Sequence, residues 1–552
     1  MLKLAALLVL AVSSCGLAIA AESGDLVEAG RRIYEDGVLP DGTPLIATRP
    51  EGLRLEGARA ACITCHRRSG LGSVEGTGQY AILVPPLAGP VLFAPAPWVD
   101  NYLDEAHHYV PHPSWLRAMK RPAYDRSRLD TALREGTNSA GELIGAPMPL
   151  YALDPHALDA LMAYLAQLTS RADPGVAADA VHLAVVITPD ADPADADAVQ
   201  SVLEVWSETS LAAGVPWRLH VWRLTGAVDG WREQLDRLYA DQPVFALVSG
   251  AGAVEWGPVD AFCETERVPC LMPSLDAAPR DANSGEYAIY FSPGVTLEAR
   301  ILARHFESQG DAPARVVQIY AGAAGREGAE TLRAELEHLG HEVVTRRFLA
   351  TAPAMALAGL EGDEKLVLWL SPWQLHALTA ATAIGPEGGN VYLSATMATP
   401  ELVSLPPAWR ARARFATLFD DFGLHAEIAR LRLQRWLDER GVTKAGLDPR
   451  VQADAYVAAY LLHRVMGAMR QQESRRLPVP WSRDHLLETI EDLAGKYDDA
   501  TGLIDLDSHV AFYGRMSLGP GQRTAVRGGT VARYESDASE RLVATGERIV
   551  PD

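Results

Sequence analysis

The sequence is short of positive charge. Its 552 residues include 50 Lys and Arg against 71 Asp and Glu, which gives a formal net charge of −21. Clustered runs of Lys and Arg are missing. Binding to nucleic-acid phosphates or to anionic lipid depends on such clusters. The composition therefore argues against nucleic acid as a partner and against attachment to a lipid surface by charge.

Long apolar runs are equally scarce. The only one, residues 4–12, follows a short basic start and precedes the cleavage signal Ala18-Ile19-Ala20. This order predicts a secretory signal peptide over residues 1–20 and a periplasmic mature chain. The later sequence has no run that would predict a transmembrane helix. A lipoprotein box ending at Cys15 is the alternative, and cleavage there would leave a lipid-anchored product.

Motifs of the common enzyme classes are missing too. Gly250-Ala251-Gly252 follows a strand pattern, but Glu255 stands where a dinucleotide fingerprint has its third glycine. The glycine-rich stretch Gly322–Gly328 lacks the Lys-Ser/Thr ending of a phosphate loop. Neither a serine-hydrolase elbow nor a His-Glu-x-x-His zinc motif occurs. The missing motifs favour a protein that is not an enzyme. With 48% apolar and 22% charged residues, the chain is expected to be globular, and its length of 552 residues predicts several domains.

Only five cysteines are present, and two of them carry the most specific motif in the chain. Cys62-Ile63-Thr64-Cys65-His66 is the attachment sequence of c-type haem. Two thiols at this spacing lie along one porphyrin edge and add to its vinyl groups, and the adjacent imidazole reaches the iron. A redox-active C-x-x-C and half of a zinc site use the same spacing. An export signal precedes the motif and no further metal-spaced Cys or His lies nearby, so we predict one covalently attached haem c.

A sixth iron ligand is predicted downstream of the motif. Met148 lies in Gly145–Tyr151, where flanking prolines restrict the backbone around the thioether. A Met ligand opposite His raises the reduction potential, which suits electron transfer. The alternative is a low-potential bis-histidine haem, with the second ligand taken from His107, His108 or His112.

These features resemble the class I c-type cytochromes. The features that carry the likeness are Gly30, placed for close packing in an N-terminal helical stretch, the Cys62–His66 motif, Met148-Pro149, and a last helix over residues 154–167 that includes Tyr164-Leu165. The likeness covers about residues 22–170 and implies an all-α domain whose first and last helices cross. It also implies that Cys62 and Cys65 anchor the haem and that His66 and Met148 are its axial ligands.

After residue 170 the pattern changes. Strand-like runs alternate with amphipathic helical stretches, which predicts parallel sheets covered by helices. The alternation opens with the apolar run Val181–Ile187, continues to Met272 and starts again near Tyr287, so two α/β lobes are expected. The predicted boundaries are a signal peptide at 1–20, a cytochrome c domain at 21–170, a linker at 171–178 and a two-lobed domain at 179–552.

The second pattern is similar to the type I periplasmic binding proteins, the fold of the branched-chain amino-acid receptors. The stretches that carry the likeness are Ala184–Pro189, Phe245–Gly250, Phe262–Cys270, Ala299–Ala303 and the strands around residues 521–534. The likeness covers about residues 178–540 and implies a small ligand bound between hinged lobes. The expected fold class is thus multidomain, an all-α cytochrome c domain followed by a two-lobed α/β periplasmic binding protein-like fold.

The resemblance implies ligand contacts at strand ends that face the cleft. The residues at these positions are Ser249, Ser274, Trp373 and Ser394. Hydroxyl and backbone groups there would bind a polar small molecule, although serine at a strand end also caps helices. Amino-acid receptors carry Tyr-Gly after the first strand of the second lobe, whereas this chain has Ala324-Gly325. That departure weakens the expectation of an amino-acid ligand.

The remaining two cysteines, Cys263 and Cys270, are seven residues apart. In an oxidising compartment they can form a disulfide. Two buried free thiols are the alternative, and we predict the bridge.

The leading hypothesis is a periplasmic monohaem cytochrome that transfers single electrons, with a second domain that binds a small ligand or docks a redox partner. A periplasmic dehydrogenase is the donor expected by analogy. Because complementary charge speeds encounter, the partner of this acidic chain should present a basic or neutral face. The alternative is a ligand sensor gated by haem redox state. A peroxidase-like enzyme would need an open iron site, which a Met148 ligand closes.

Overall fold

The structure is a computed structural model. The residues it describes, to which all structural statements below refer, are 24–75, 82–96, 121–209, 216–310, 315–360, 364–381, 389–399, 403–419, 424–442, 447–474, 480–495, 512, 516–519, 521–536 and 541–551. The predicted signal peptide, Cys15, His107, His108 and His112 lie outside these residues. The chain divides into two compact units: Met1–Asp173 with Ala468–Glu488 form the first, and Pro174–Gly467 with Thr489–Asp552 form the second.

The first unit combines short helices with two small sheets. Its helical segments are residues 24–31, which continue as a π-helical turn at Arg32–Asp36, a 3-10 turn at Gly57–Ala60, and the helices Ile63–His66, Gly89–Leu92, Arg126–Glu135 and Pro155–Gln167. Its strands are β1 (Ile46–Thr48), β2 (Arg54–Glu56), β3 (Ser73–Glu75), β4 (Ile82–Val84) and β5 (Leu150–Tyr151). They form a sheet in the order β2-β1-β5 and a β3-β4 pair, all antiparallel.

The N-terminal helix of this unit packs closely on the Pro155–Gln167 helix. A Cβ atom on Gly30 would lie 2.0 Å from the backbone oxygen of Ala160, so only glycine permits this approach. The rings of Tyr34 and Tyr164 pack beside the contact, with centroids 5.4 Å apart. The sequence prediction that Gly30 serves close helix packing agrees with this geometry.

The prediction of an all-α first domain is wrong in detail. Strands β1 and β2 form a hairpin, and β5 adds to its other side. Ala47 and Leu55 point into the core while their strand neighbours are exposed, so the sheet covers part of that core. Strands of two or three residues are too short to show a two-residue hydrophobic period, so these strands could not be predicted from the sequence.

Replacing Gly30 with alanine is expected to lower the free energy of unfolding of the first unit by about 1–3 kcal/mol, because the added methyl group overlaps the backbone of Ala160. Gly24→Ala is the matched control, since a Cβ atom there meets nothing within 4 Å. Chemical denaturation followed by far-ultraviolet circular dichroism measures both variants. Equal stability of the two variants would contradict the close helix contact.

The first lobe of the second unit is a parallel sheet with helices. Its strands are β6 (Val181–Ile187), β7 (Trp217–Arg223), β8 (Ala246–Gly252), β9 (Cys270–Leu271), β10 (Ser274–Leu275) and β11 (Ala288–Ile289). They lie in the order β11-β9-β8-β6-β7, with β10 beside β8. The helical segments are Pro193–Thr209, Val228–Gly230, Trp231–Asp241 and Gly257–Glu266. Strand β6 is apolar at almost every position, as expected for a parallel strand covered on both faces.

The second lobe repeats this architecture. Its strands are β12 (Arg315–Tyr320), β13 (Glu342–Arg347), β14 (Lys365–Trp369), β15 (Val391–Ser394), β16 (Ala413–Thr417), β17 (Thr530–Tyr534) and β18 (Leu542–Ala544). They lie in the order β13-β12-β14-β15-β16-β17-β18, parallel as far as β16 and antiparallel beyond it. The remaining helical segments of the chain are Val295–Ser308, Gly322–His338, Pro353–Leu357, Pro372–Ala381, Ala395–Ala398, Pro407–Arg410, Leu424–Arg440, Pro449–Ser474 and Arg483–Gly495, and the last two extend into the first unit. The prediction of two α/β lobes is confirmed.

The predicted contiguous domain at 179–552 needs a correction. Residues 468–488 cluster with the first unit. There the carboxylate of Asp173 accepts a hydrogen bond of 2.7 Å from the backbone N–H of Arg483, 310 residues away. Its own backbone N–H donates to the carbonyl of Trp481 at 3.0 Å. Periodicity reports on neighbours along the chain and cannot show that a distant segment returns.

Candidate functional site

The predicted haem-attachment residues share one turn of backbone in the first unit. The backbone N–H of His66 donates to the carbonyl of Cys62 at 2.9 Å, which closes the Ile63–His66 turn. Cys62 and Cys65 are both free thiols and half-buried. His66 is buried, with 4% of its surface exposed. Two thiols and an imidazole are thus held on five consecutive residues of fixed conformation.

A hydrogen bond orients the ring of His66. Its Nδ1 lies 2.9 Å from the carbonyl oxygen of Pro85. Because a carbonyl only accepts, Nδ1 carries the proton and Nε2 keeps its lone pair. Burial lowers the pKa of His66 to about 4, so the imidazole is neutral at physiological pH. A neutral ring held through its other nitrogen is the usual state of a metal-ligating histidine.

The surroundings of the motif bear on its two rival interpretations. Burial raises the pKa of the Cys62 thiol to about 12, whereas a reactive redox C-x-x-C pair needs a lowered thiol pKa. A zinc site needs further ligands. In the part of the chain that the structure describes, no group of three or more His, Cys, Asp or Glu side chains is placed to hold a metal ion.

Met148 lies at the same hydrophobic cluster as the attachment motif. The cluster is built on the buried side chains of the first unit, among them Ile33 and Tyr34. The partly buried side chains that pack against it include Cys62, Met148 and Met162. Two thiols, a neutral imidazole and a thioether that packs against the same cluster fit the donor set that haem c requires. The cluster gives Met162 the packing role that its helical spacing predicts.

The second unit contains a cleft lined by residues of both lobes. Leu275 of the first lobe, Glu298 and Thr396 of the second, and Arg450 and Asp454 of the Pro449–Ser474 helix line it. Its empty volume is about 430 Å³, part of it open to solvent. The enclosed part has room for about one water molecule. In this conformation, therefore, the cleft is largely filled by its own side chains.

Arg450 supplies the cation of this cleft. Its guanidinium lies 3.6 Å from a carboxylate oxygen of Asp454 and 3.9 Å from oxygens of Asp276 and Asp448. Its side chain is only 13% exposed, and its Nε finds no hydrogen-bond acceptor among the residues described. Three carboxylates thus surround one guanidinium at distances longer than a hydrogen bond, so the attraction is Coulombic and not tightly directional.

Burial raises the pKa of the cleft carboxyl groups. It raises the pKa of Glu298 and of Asp454 to about 7 and that of Asp276 to about 6, and the charge of Arg450 opposes each shift. Glu298 also accepts hydrogen bonds of 2.9 Å from the backbone N–H and the hydroxyl of Thr396. The net charge of the cleft therefore changes near neutral pH. The positive charge of Arg450 keeps a larger fraction of the cleft carboxyl groups ionised than burial alone would allow.

The four predicted ligand positions have different surroundings. Ser274 donates a hydrogen bond of 2.6 Å to Asp454 at the cleft. The hydroxyl of Ser394 donates a hydrogen bond to Glu298 of the cleft lining, and it also caps the Ala395–Ala398 helix by accepting from the backbone N–H of Met397 at 3.1 Å. Trp373 is 60% exposed and is not among the lining residues. The hydroxyl of Ser249 is buried without a hydrogen-bond partner in the described residues.

Sequence reasoning missed Glu298, Arg450 and Asp454. A signal was present for Glu298. It shares a buried face of the Val295–Ser308 helix with Val295 and Leu302, so an ionisable group stands where the helical period demands an apolar one. The other two lie one helical turn apart and carry no comparable local signal.

Two further predicted features lie away from the cleft lining. Cys263 and Cys270 are paired, with Cα atoms 6.0 Å apart, a usual separation for a disulfide. Ala324 and Gly325 are buried in the Gly322–His338 helix. A Cβ atom on Gly325 would lie 2.7 Å from the backbone oxygen of Trp369, so this glycine permits close packing.

Comparison with known proteins finds no matching family model and no matching curated protein. A branched-chain amino acid ABC transporter protein from Thermus thermophilus with bound valine matches at a TM-score of 0.50 and 13% identity, over 67% of this chain and 97% of that one. A fatty acid ABC transporter substrate-binding protein from Thermomonospora curvata matches at 0.49 and 12%, over 69% and 95%. Identities this low show the fold alone. The chain therefore contains the two-lobed α/β fold of the type I periplasmic binding proteins, formed by the two lobes of the second unit.

Proposed function

We propose that this protein is a periplasmic ligand-binding protein that carries haem c, and that the redox state of the haem and the occupancy of the cleft affect each other. The observation that carries the proposal is the cleft between the two lobes, lined by ionisable side chains. The Thermus thermophilus neighbour is described with valine bound, which supports a binding role over an enzymatic one. No helix among the described residues is long and apolar enough to cross a membrane.

The first unit supports the haem part of the proposal. Bound haem c supplies one-electron redox chemistry. Cys62 and Cys65 would hold it covalently, with His66 and Met148 as axial ligands. The carbonyl of Pro85 keeps the imidazole in one tautomer and orientation. The hydroxyl of Tyr34 donates to the carbonyl of Arg67 at 2.7 Å and steadies the chain just after His66.

A second candidate function is single-electron transfer without ligand control. It is favoured by the small free space in the cleft, which in this conformation is largely filled by its own side chains. In that case the cleft would be idle, and the partner would be a periplasmic redox protein such as a dehydrogenase. The net charge of −21 favours a partner with a basic or neutral face.

Production of the full chain with haem maturation tests the proposal. The pyridine haemochrome spectrum is expected to show one haem c per chain. The reduction potential is then measured with and without valine, arginine and glutamate as probes, and calorimetry measures their binding to the oxidised and reduced forms. Because linkage is reciprocal, a probe that shifts the potential must bind the two forms with different affinity. A chain without haem would overturn the haem part, and a potential that no probe shifts would favour the electron carrier.

A further inference from the structure

A carboxyl group from far along the chain lies against the segment that follows His66. Glu488 accepts a hydrogen bond of 2.8 Å from the backbone N–H of Ser69 and a second one from the hydroxyl of Ser69. The two residues are 419 positions apart and both belong to the first unit. Glu488 is buried, so its charge is largely removed from water.

The segment that Glu488 contacts is held in place from several sides. The hydroxyl of Thr169 donates to the carbonyl of Ser69 at 2.7 Å, and the backbone N–H of Gly72 donates to the carbonyl of His66 at 3.2 Å. Three residues of chain span at most about 11 Å, which limits the separation of Ser69 from His66. Salt screens a buried charge at this range only weakly. The ionisation of Glu488 therefore acts on the electrostatics of the His66 region.

Several ionisable groups act on Glu488. The guanidinium of Arg67 donates to its backbone carbonyl at 3.4 Å, and Asp484 lies one turn earlier on the same helix. The phenol of Tyr34 also interacts with it and stays neutral, because burial raises the pKa of Tyr34 well above its ordinary value. Burial raises the pKa of Glu488 to about 8, although its bonds with Ser69 oppose the shift. Together these interactions place the pKa of Glu488 close to physiological pH.

We propose that Glu488 is a redox-linked proton site of the first unit, where its carboxylate takes up a proton from solvent when the haem iron gains an electron from an external reductant. The inference rests on the proposed function, because it requires haem c at Cys62 and Cys65. Reduction removes one positive charge from the iron, so the nearby carboxylate is stabilised less and binds a proton more readily. Oxidation reverses both steps and returns the proton to solvent.

Redox titration of the full haem-loaded chain between pH 5.5 and 9.5 tests the inference, with Glu488→Gln as the variant. The potential of the unaltered protein is expected to fall as the pH rises through the titration of Glu488. The neutral glutamine resembles the protonated acid, so the variant should match the unaltered protein at pH 5.5 and lie above it at pH 9.5. If the substitution acted only by disturbing the local structure, it would shift the reduction potential by a similar amount at every pH.

Glu51→Gln is the matched control, since it removes an exposed carboxylate from the same unit and should leave the pH profile unchanged. Ser69→Ala is a second variant, which removes one hydrogen-bond donor to the Glu488 carboxylate. The pKa of Glu488 should rise, so the fall in reduction potential should occur at higher pH. A pH profile unchanged by Glu488→Gln, or by Ser69→Ala should the first variant not fold, would overturn the inference. A chain that holds no haem c would instead refute the proposed function before any titration.

Discussion

Replacing Arg450 with methionine is expected to lower the free energy of unfolding of the second unit by about 3–5 kcal/mol at pH 8, because the change removes the cation of a buried charge cluster. The guanidinium of Arg450 lies within 3.9 Å of three carboxyl groups, those of Asp276, Asp448 and Asp454. The substitution would leave these carboxyl groups without a neighbouring positive charge. Methionine keeps most of the side-chain volume, so the loss reports on charge more than on a cavity. Urea denaturation followed by tryptophan fluorescence measures the change.

The pH dependence of this loss of stability distinguishes an electrostatic effect of the substitution from a packing effect. Burial raises the folded-state pKa of Glu298 and Asp454 to about 7, above the ordinary values near 4. Each group therefore contributes stability that is complete below about pH 4 and is lost as the pH rises through about 7. The loss in the Arg450 variant should thus be smaller at pH 5 than at pH 8.

Arg435→Met is the matched control for the charge effect. Arg435 forms an exposed ion pair with Glu439 at 2.7 Å, and because water screens such a pair, its loss should leave the free energy of unfolding nearly unchanged. An Arg450 variant that loses no more stability than this control, or loses the same amount at both pH values, would show that the cleft does not depend on the guanidinium charge.

Replacing Met148 with alanine is expected to convert a closed iron site into an open one. The haem-loaded variant should bind carbon monoxide, which the unaltered protein should not, and its reduction potential should fall because the thioether ligand is lost. Absorption spectra of the reduced protein with and without carbon monoxide measure the first effect. A redox titration measures the second.

Met162→Ala is the control for this experiment. Met162 is also partly buried against the hydrophobic cluster of the first unit, so its replacement removes a similar volume and the same atom type. Its spectra should remain those of the unaltered protein. If Met148→Ala left the spectra unchanged, the sixth ligand would be another residue, and the candidates to substitute next would be His107, His108 and His112.

Local chemistry made part of this protein predictable. Cys62-Ile63-Thr64-Cys65-His66 predicts a haem-attachment site from the sequence alone, because the chemistry of attachment needs two thiols and an imidazole on nearly consecutive residues. Strand β6 was predicted with the bounds it has, Val181–Ile187, because a parallel strand covered on both faces is apolar without interruption. The close packing of Gly30 was predicted because a glycine inside a helix needs a steric reason. Each of these signals is contained within a few neighbouring residues.

Tertiary structure decided what depends on residues far apart in sequence. Only the folded chain places Arg450 beside Asp276 and places Glu488 beside Ser69. It also assigned residues 468–488 to the first unit and gave Ser394 the role of a helix cap. The physical reason is that buried charges are stabilised by whichever partners the fold brings within a few ångströms, and hydrophobic periodicity carries no information about those partners. The sequence alone therefore determined the Cys62–His66 motif and the alternation of strands and helices, whereas the fold decided which ionisable groups lie in the cleft and beside the segment that follows His66.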